Sequence, residues 1–202
     1  MNTELTVFVV DDDEEVRDAM KRLMNSVGLT VETFASAEEF LAQFDPARPG
    51  CLLLDVRMEG MSGLDLQKRL ALEEVQPPII IITGHGDVPM AVRAVMAGAV
   101  NFIEKPFNEQ VLLDSVHRAI ELDGAHRGRV LQLADISARL ECLTSREREI
   151  LDLVVAGKRN KVIASELGIS QSTVESHRAK VMEKMQAESL SDLMRMMLSL
   201  QP

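Results

Sequence analysis

Short apolar runs recur at 6–10, 30–34, 51–55, 79–83 and 100–104, each of strand length. Between them, apolar positions return at helical spacing. Val16, Met20, Leu23, Met24 and Val27 mark the first such segment, and others begin near Ser36, Gly63, Val88 and Asn108. Strands alternating with helices predict an α/β domain: a doubly wound, five-stranded parallel sheet with helices on both faces. Cys51-Leu52-Leu53-Leu54 and Ile79-Ile80-Ile81-Ile82 are continuously apolar, as central strands covered on both faces need to be.

The pattern changes after Leu122. Residues 123–140 carry scattered charge with apolar residues at Val130, Leu131, Leu133, Ile136 and Leu140. They read as a helical linker that could pair with a second copy of itself; a loose tether is the alternative. From Thr144 on, everything reads as helix. Thr144-Ser145-Arg146-Glu147 has the spacing of a capping box, and Gly157 is placed to end the helix it opens. Helices follow at about 161–167, 171–185 and 190–200. The expected domains are therefore 5–122, a linker at 123–140, and an all-α four-helix domain at 141–200.

Charge sharpens this division. Residues 1–122 hold 21 acids and 10 Lys and Arg, a net of −11, whereas residues 123–202 hold 11 and 12, a net of +1. The window 158–184 has six Lys and Arg against three acids. An acidic module joined to one that can meet phosphate is the natural reading. Six Phe without Trp or Tyr argue against an aromatic platform for single-stranded nucleic acid. No apolar run approaches the ~18 residues of a membrane span. The N-terminus lacks a basic segment, so a signal peptide is not expected. Cys51 and Cys142, in apolar surroundings, are expected to be reduced, and the protein cytoplasmic.

The candidate chemistry lies at the strand ends, where parallel sheets bind ligands. The first strand ends in Asp11, Asp12 and Asp13, the third in Asp55, the fourth in Thr83, and the fifth near Lys105. Clustered carboxylates repel one another, and a hard divalent cation relieves that repulsion through oxygen ligands. Mg²⁺ suits, with Mn²⁺ as a substitute. One carboxylate can then act as a nucleophile on phosphorus, while a hydroxyl and an ammonium neutralise the other phosphoryl oxygens. Taken singly, Asp55 could be a solvated strand end, Thr83 a turn cap, Lys105 a surface charge and Phe102 plain core. His85, in a Gly-His-Gly loop, reads as a loop residue.

The stretches VFVVDDD, LLLDVRMEGMSG, IIIITGHGD and NFIEKPF resemble the receiver domain of bacterial two-component response regulators, and the last two are particularly similar to the FixJ-type branch. The resemblance implies a flavodoxin-like fold in which Asp55 accepts a phosphoryl group from a sensor histidine kinase. It implies that Asp11, Asp12, Asp55 and the Arg57 backbone carbonyl hold the metal, with Asp12 the more direct ligand of the acidic pair. It makes Thr83 and Lys105 the phosphoryl-binding pair and Phe102 a switch residue, with a cis Lys105-Pro106 bond. One departure is visible: the family usually has Pro after Met58, and this chain has Glu59.

The second half, TSREREIL followed by AGKRNKVIASELGISQSTVESHRAKVMEKM, resembles the LuxR-type helix-turn-helix. Gly168 suits the turn and Ser170 the cap of the recognition helix. The resemblance places Glu175, Ser176 and Ala179 toward bases. It places Lys161, Ser172, Thr173, Arg178 and Lys180 toward phosphates. Glu175 could accept from a cytosine amino group or close a Ser172-x-x-Glu175 cap.

The preferred expectation is a phosphorylation-switched, DNA-binding transcriptional activator, not an enzyme beyond its own phosphoryl transfer and dephosphorylation. Its partners would be a histidine kinase, promoter DNA and RNA polymerase, with no membrane. It would homodimerise through a face including Val92, Val95 and Ala99. Two alternatives stand beside it. One is a haloacid-dehalogenase-like phosphatase using Asp11-x-Asp13, with Asp13 as acid; the other is a receiver that is never phosphorylated.

Overall fold

The computed structural model describes residues 4–72, 77–84 and 86–200, so His85 lies outside the described residues. The chain divides into two compact units, Met1–His126 and Arg127–Pro202. In the first, strands β1 (Thr6–Val10), β2 (Thr30–Phe34), β3 (Gly50–Asp55), β4 (Ile79–Thr83) and β5 (Asn101–Glu104) form one sheet. The order is β2-β1-β3-β4-β5 and every pairing is parallel. The helices are α1 (Glu14–Ser26), α2 (Ala37–Gln43), α3 (Gly63–Leu72), α4 (Val88–Met96) and α5 (Glu109–Glu141).

Alternate strand residues build two cores. Phe8, Val10, Leu52, Leu54 and Ile81 pack with Phe40, Leu66, Leu70 and Ala94 from α2, α3 and α4. Val7, Val9, Cys51, Leu53, Ile80 and Ile82 pack with Met20 and Met24 of α1 and with Leu112, Val116 and Ala119 of α5. The uninterrupted apolar runs are thus two interleaved faces, each covered by helices. The expected strands 51–55 and 100–104 shift by one residue: Gly50 joins β3, and Val100 precedes β5. Ala99, expected on an outer face, is buried in the first core. It follows Gly98, whose positive φ of 93° turns the chain inward after α4.

Gly50 sits at a close approach. Its φ is 152°, and a Cβ there would lie 1.8 Å from the Thr6 backbone oxygen. Gly50→Ala must therefore push β1 and β3 apart at their paired starts. We expect a loss of about 3 kcal/mol or more, read from urea unfolding.

The segment 123–140 is not a separate linker. A single helix, α5, runs for 33 residues from Glu109 to Glu141. Its two ends belong to different units. Asp123 is buried and accepts the Gly50 N–H at 2.9 Å within the first unit. Ile136 and Leu140 are buried in the core of the second.

That second core also takes residues from α6 (Ser145–Val155), α7 (Asn160–Leu167), α8 (Gln171–Met185) and α9 (Leu190–Ser199). The end of α5 is thus a fifth helical segment added to the expected four. The Thr144–Glu147 capping box is present in both directions. Gly168 ends α7 in the left-handed region, and the Ser170 side chain caps α8.

Glu147 also accepts Lys184 Nζ at 2.6 Å. The Lys184 contact and the Thr144 backbone N–H hold its carboxyl down at about 2, against an ordinary 4.5. The folded carboxyl is more acidic than the unfolded one. Its contribution is therefore full above pH 4.5 and drains away as the pH falls toward 2. We expect amide-exchange protection in α6 and α8 to fall across that window, and Glu147→Gln to flatten the dependence.

Candidate phosphoryl-transfer site and nucleic-acid interface

The parallel registers bring the strand ends together. Val10 is level with both Phe34 and Leu54, Asp55 with Ile82, and Thr83 with Glu104. Asp11 and Asp55 therefore end adjacent strands, and Lys105 follows the edge strand. Lys105 Nζ bridges the two acids, at 2.7 Å from Asp11 Oδ2 and 3.0 Å from Asp55 Oδ1. The other Asp55 oxygen accepts the Arg57 N–H at 2.6 Å. Asp11 accepts the Asp13 N–H at 3.0 Å, and its own carbonyl takes the Arg17 guanidinium at 2.8 Å. The Lys105-Pro106 bond is cis.

Electrostatics mark Asp55 as unusual. Burial pushes its pKa up and the Asp11 charge adds to this, outweighing Lys105 and the Arg57 N–H. Burial alone would lower Lys105, but the hydrogen bonds and charges of Asp11 and Asp55 win, and its pKa is raised. Two carboxylates sharing one ammonium leave the pocket short of positive charge.

The remaining expected residues fall in different places. Thr83 is fully buried, and its carbonyl accepts the Lys105 N–H at 2.8 Å. Phe102 is half-buried against the first core. A Cβ on Gly86 would come within 2.9 Å of the Phe102 ring and 3.4 Å of Thr83 Cγ2, so Gly86 leaves the space this ring uses. Asp13 is the N-cap of α1, accepting from Glu15 and Val16.

Asp12 lies outside the Lys105 bridge. It is exposed, and its Oδ2 accepts the Glu59 N–H at 3.2 Å. Among the described residues no group of three His, Cys, Asp or Glu side chains is gathered to hold a metal. The backbone amide draws Asp12 toward the loop after β3, while Lys105 collects Asp11 and Asp55. Even so, the donors present fit Mg²⁺. It takes one or two carboxylates and otherwise water and phosphoryl oxygen, and the donors here are hard oxygens with excess negative charge.

Two features could not be read from local pattern. The Glu59 N–H reaches across 47 residues to Asp12. Glu38, which looks like any first-turn helix acid, accepts the Met61 N–H at 3.1 Å.

In the second unit, α8 buries Val174, Val181 and Met185. Ser172, Glu175, Ser176, Ala179 and Lys180 form an exposed stripe on the other side, as helical spacing requires. Lys161 on α7 is exposed too. Arg178 is half-buried, and one nitrogen donates to Asn160 Oδ1 at 2.6 Å, so its guanidinium is positioned by α7. The Ser172 and Thr173 hydroxyls lie 3.0 and 2.8 Å from the Ser170 hydroxyl. The Ser172-x-x-Glu175 cap is absent, because α8 starts at Gln171 with Ser170 as its cap.

Comparison with known proteins now separates the readings. Residues 7–117 match the family described as response regulator receiver domain, and residues 141–197 match bacterial regulatory proteins, luxR family. The chain is a response regulator of the FixJ/NarL family. It is 49% identical over 197 residues to the transcriptional regulatory protein FixJ of Rhizobium meliloti, covering 98% of this chain and 97% of that one. It is 47% identical over 195 residues to nodulation protein W of Bradyrhizobium diazoefficiens, covering 96% and 86%. Among solved structures, the low-resolution structure of the response regulator StyR superposes with a TM-score of 0.88 at 44% identity, covering 96% of this chain and 98% of that one. Full-length FixJ from B. japonicum gives 0.59 at 42% identity, with 98% of each covered.

This response regulator is therefore a transcriptional regulator with a receiver and a LuxR-type DNA-binding domain, and the phosphatase alternative is set aside. A receiver implies a sensor kinase partner and a Mg²⁺ site, and a LuxR-type domain implies DNA. Among the described residues no helix is long and apolar enough to cross a membrane.

Proposed function

We propose that Asp55 is the phosphoryl acceptor and that its modification switches the DNA-binding state. The observation that carries this is the Lys105 ammonium seated between Asp11 and Asp55, with Asp55 buried and raised in pKa. An Asp55 oxygen attacks the phosphorus of a kinase phosphohistidine. The P–N bond breaks, the electron pair returns to the imidazole, and an acyl phosphate forms. Lys105 follows the charge onto the phosphoryl oxygens, and Thr83 donates its hydroxyl to another. Mg²⁺, when bound, neutralises phosphoryl charge and makes phosphorus more electrophilic. Asp11, Asp55 and the Arg57 carbonyl would hold it, joined by Asp12 once released from Glu59. Hydrolysis of the acyl phosphate by the receiver itself resets the switch.

The readout is packing. Thr83 and Phe102 flank the space that Gly86 leaves open, so drawing Thr83 toward the phosphoryl group frees room for the ring to turn inward. That biases the α4–β5 face, where Val88, Val92, Val95 and Met96 are exposed. Two receivers would pair through it, and pairing raises the effective concentration of two DNA-binding domains over two half-sites. On DNA, Glu175, Ser176 and Ala179 would meet base edges. Lys161, Ser172, Thr173, Arg178 and Lys180 would meet phosphates. RNA polymerase recruitment would make the protein an activator. Acetyl phosphate with Mg²⁺ should retard the protein in a phosphate-affinity gel; no retardation under any donor would leave the unphosphorylated scaffold.

A further inference from the structure

The loop after β3 carries a ladder of three backbone donors. The N–H groups of Arg57, Glu59 and Met61 donate to Asp55 Oδ2 at 2.6 Å, Asp12 Oδ2 at 3.2 Å and Glu38 Oε1 at 3.1 Å. The acceptors come from β3, from the end of β1 and from α2. The three amides thus each meet a carboxylate from a different element. Gly60, with φ of 81°, lets the chain turn between the second and third rungs, and a Cβ there would press to 3.1 Å from Glu38.

The middle rung is the one with a consequence. Asp11 and Asp55 share the Lys105 ammonium, whereas Asp12 lies outside that bridge and accepts the neutral Glu59 N–H. We propose that the Glu59 N–H competes with the divalent cation for Asp12, so that residue 59 sets the cation affinity of the pocket. A cation between Asp11 and Asp55 would draw the Asp12 carboxylate away from the loop amide that its Oδ2 now accepts. A proline, the residue from which this chain departs at 59, has no N–H and could not form it. The Glu59 side chain is exposed, so its charge is screened and the backbone atom carries the effect. The inference rests on the pocket being the cation site proposed above.

The test is Mg²⁺ titration of the full chain by calorimetry, with amide exchange read in parallel. E59P should bind Mg²⁺ about fivefold to tenfold more tightly than E59A, as expected for removing one competing hydrogen bond. In the unsubstituted chain, saturating Mg²⁺ should strip exchange protection from the Glu59 amide while Met61 keeps its own. Equal or weaker binding by a folded E59P overturns the proposal. So does a Glu59 amide that stays protected at saturation, a measurement that needs no variant to fold. If the unsubstituted chain takes up no Mg²⁺, the pocket reading fails and this proposal with it. If Asp55→Asn weakens Mg²⁺ binding while E59P matches E59A, only the competition is wrong.

Discussion

Asp55→Asn is expected to abolish phosphate incorporation from acetyl phosphate, and with it phosphate-dependent dimerisation. The amide keeps the size of the carboxyl and can still accept the Arg57 N–H, so loop geometry is spared. It loses the anionic nucleophile. Asp11 is engaged by Lys105, the Asp13 N–H and, through its carbonyl, Arg17. Asp13 caps α1. Burial works against the ionised form of Asp55, as its raised pKa shows, so the neutral amide should not destabilise the domain. The variant should melt no lower than the parent at neutral pH. Its failure in a phosphate-affinity gel and in light scattering would therefore be chemical. Undiminished acetyl-phosphate-dependent dimerisation of this variant would defeat the mechanism.

The sequence carries the frame of this site better than its wiring. Strands were legible because a doubly covered strand must be apolar throughout, and the run Leu52-Leu53-Leu54-Asp55 states both its burial and its end. The α6 cap was legible because Thr144 and Glu147 satisfy each other across three residues. What escaped local reading depends on distant partners. Residues 123–140 read as helix from their apolar spacing, but not as the unbroken continuation of α5, in which Asp123 finds the Gly50 N–H and Ile136 and Leu140 find the second core. Asp12 looks equivalent to Asp11 in sequence. The Glu59 N–H on one side and Lys105 on the other make them different. Ala99 shows the same limit: only its position after the turn at Gly98 tells that it faces inward.

The recognition helix supports a prediction of comparable size. Ala179→Glu is expected to eliminate DNA binding while leaving the fold intact. Ala179 is exposed and lies in the middle of the stripe formed by Ser172, Glu175, Ser176 and Lys180, so a longer side chain meets only solvent in the free protein. Glu is also a good helix former, so α8 should persist. Against a duplex the new carboxylate would face phosphates and groove-edge acceptors while losing its water. Like-charge juxtaposition of this kind costs about 3 kcal/mol or more, roughly 100-fold in affinity. Lys180→Ala removes attraction without adding repulsion. It should weaken binding mildly and lower the salt slope by about one. Both are readable by fluorescence anisotropy on a duplex selected by the parent protein from a random pool, with thermal melts as the check on folding. An Ala179→Glu protein that melts normally and binds that duplex at full affinity would show that α8 does not enter the groove. The exposed basic residue of α7, Lys161, would then be the next candidate for the contact.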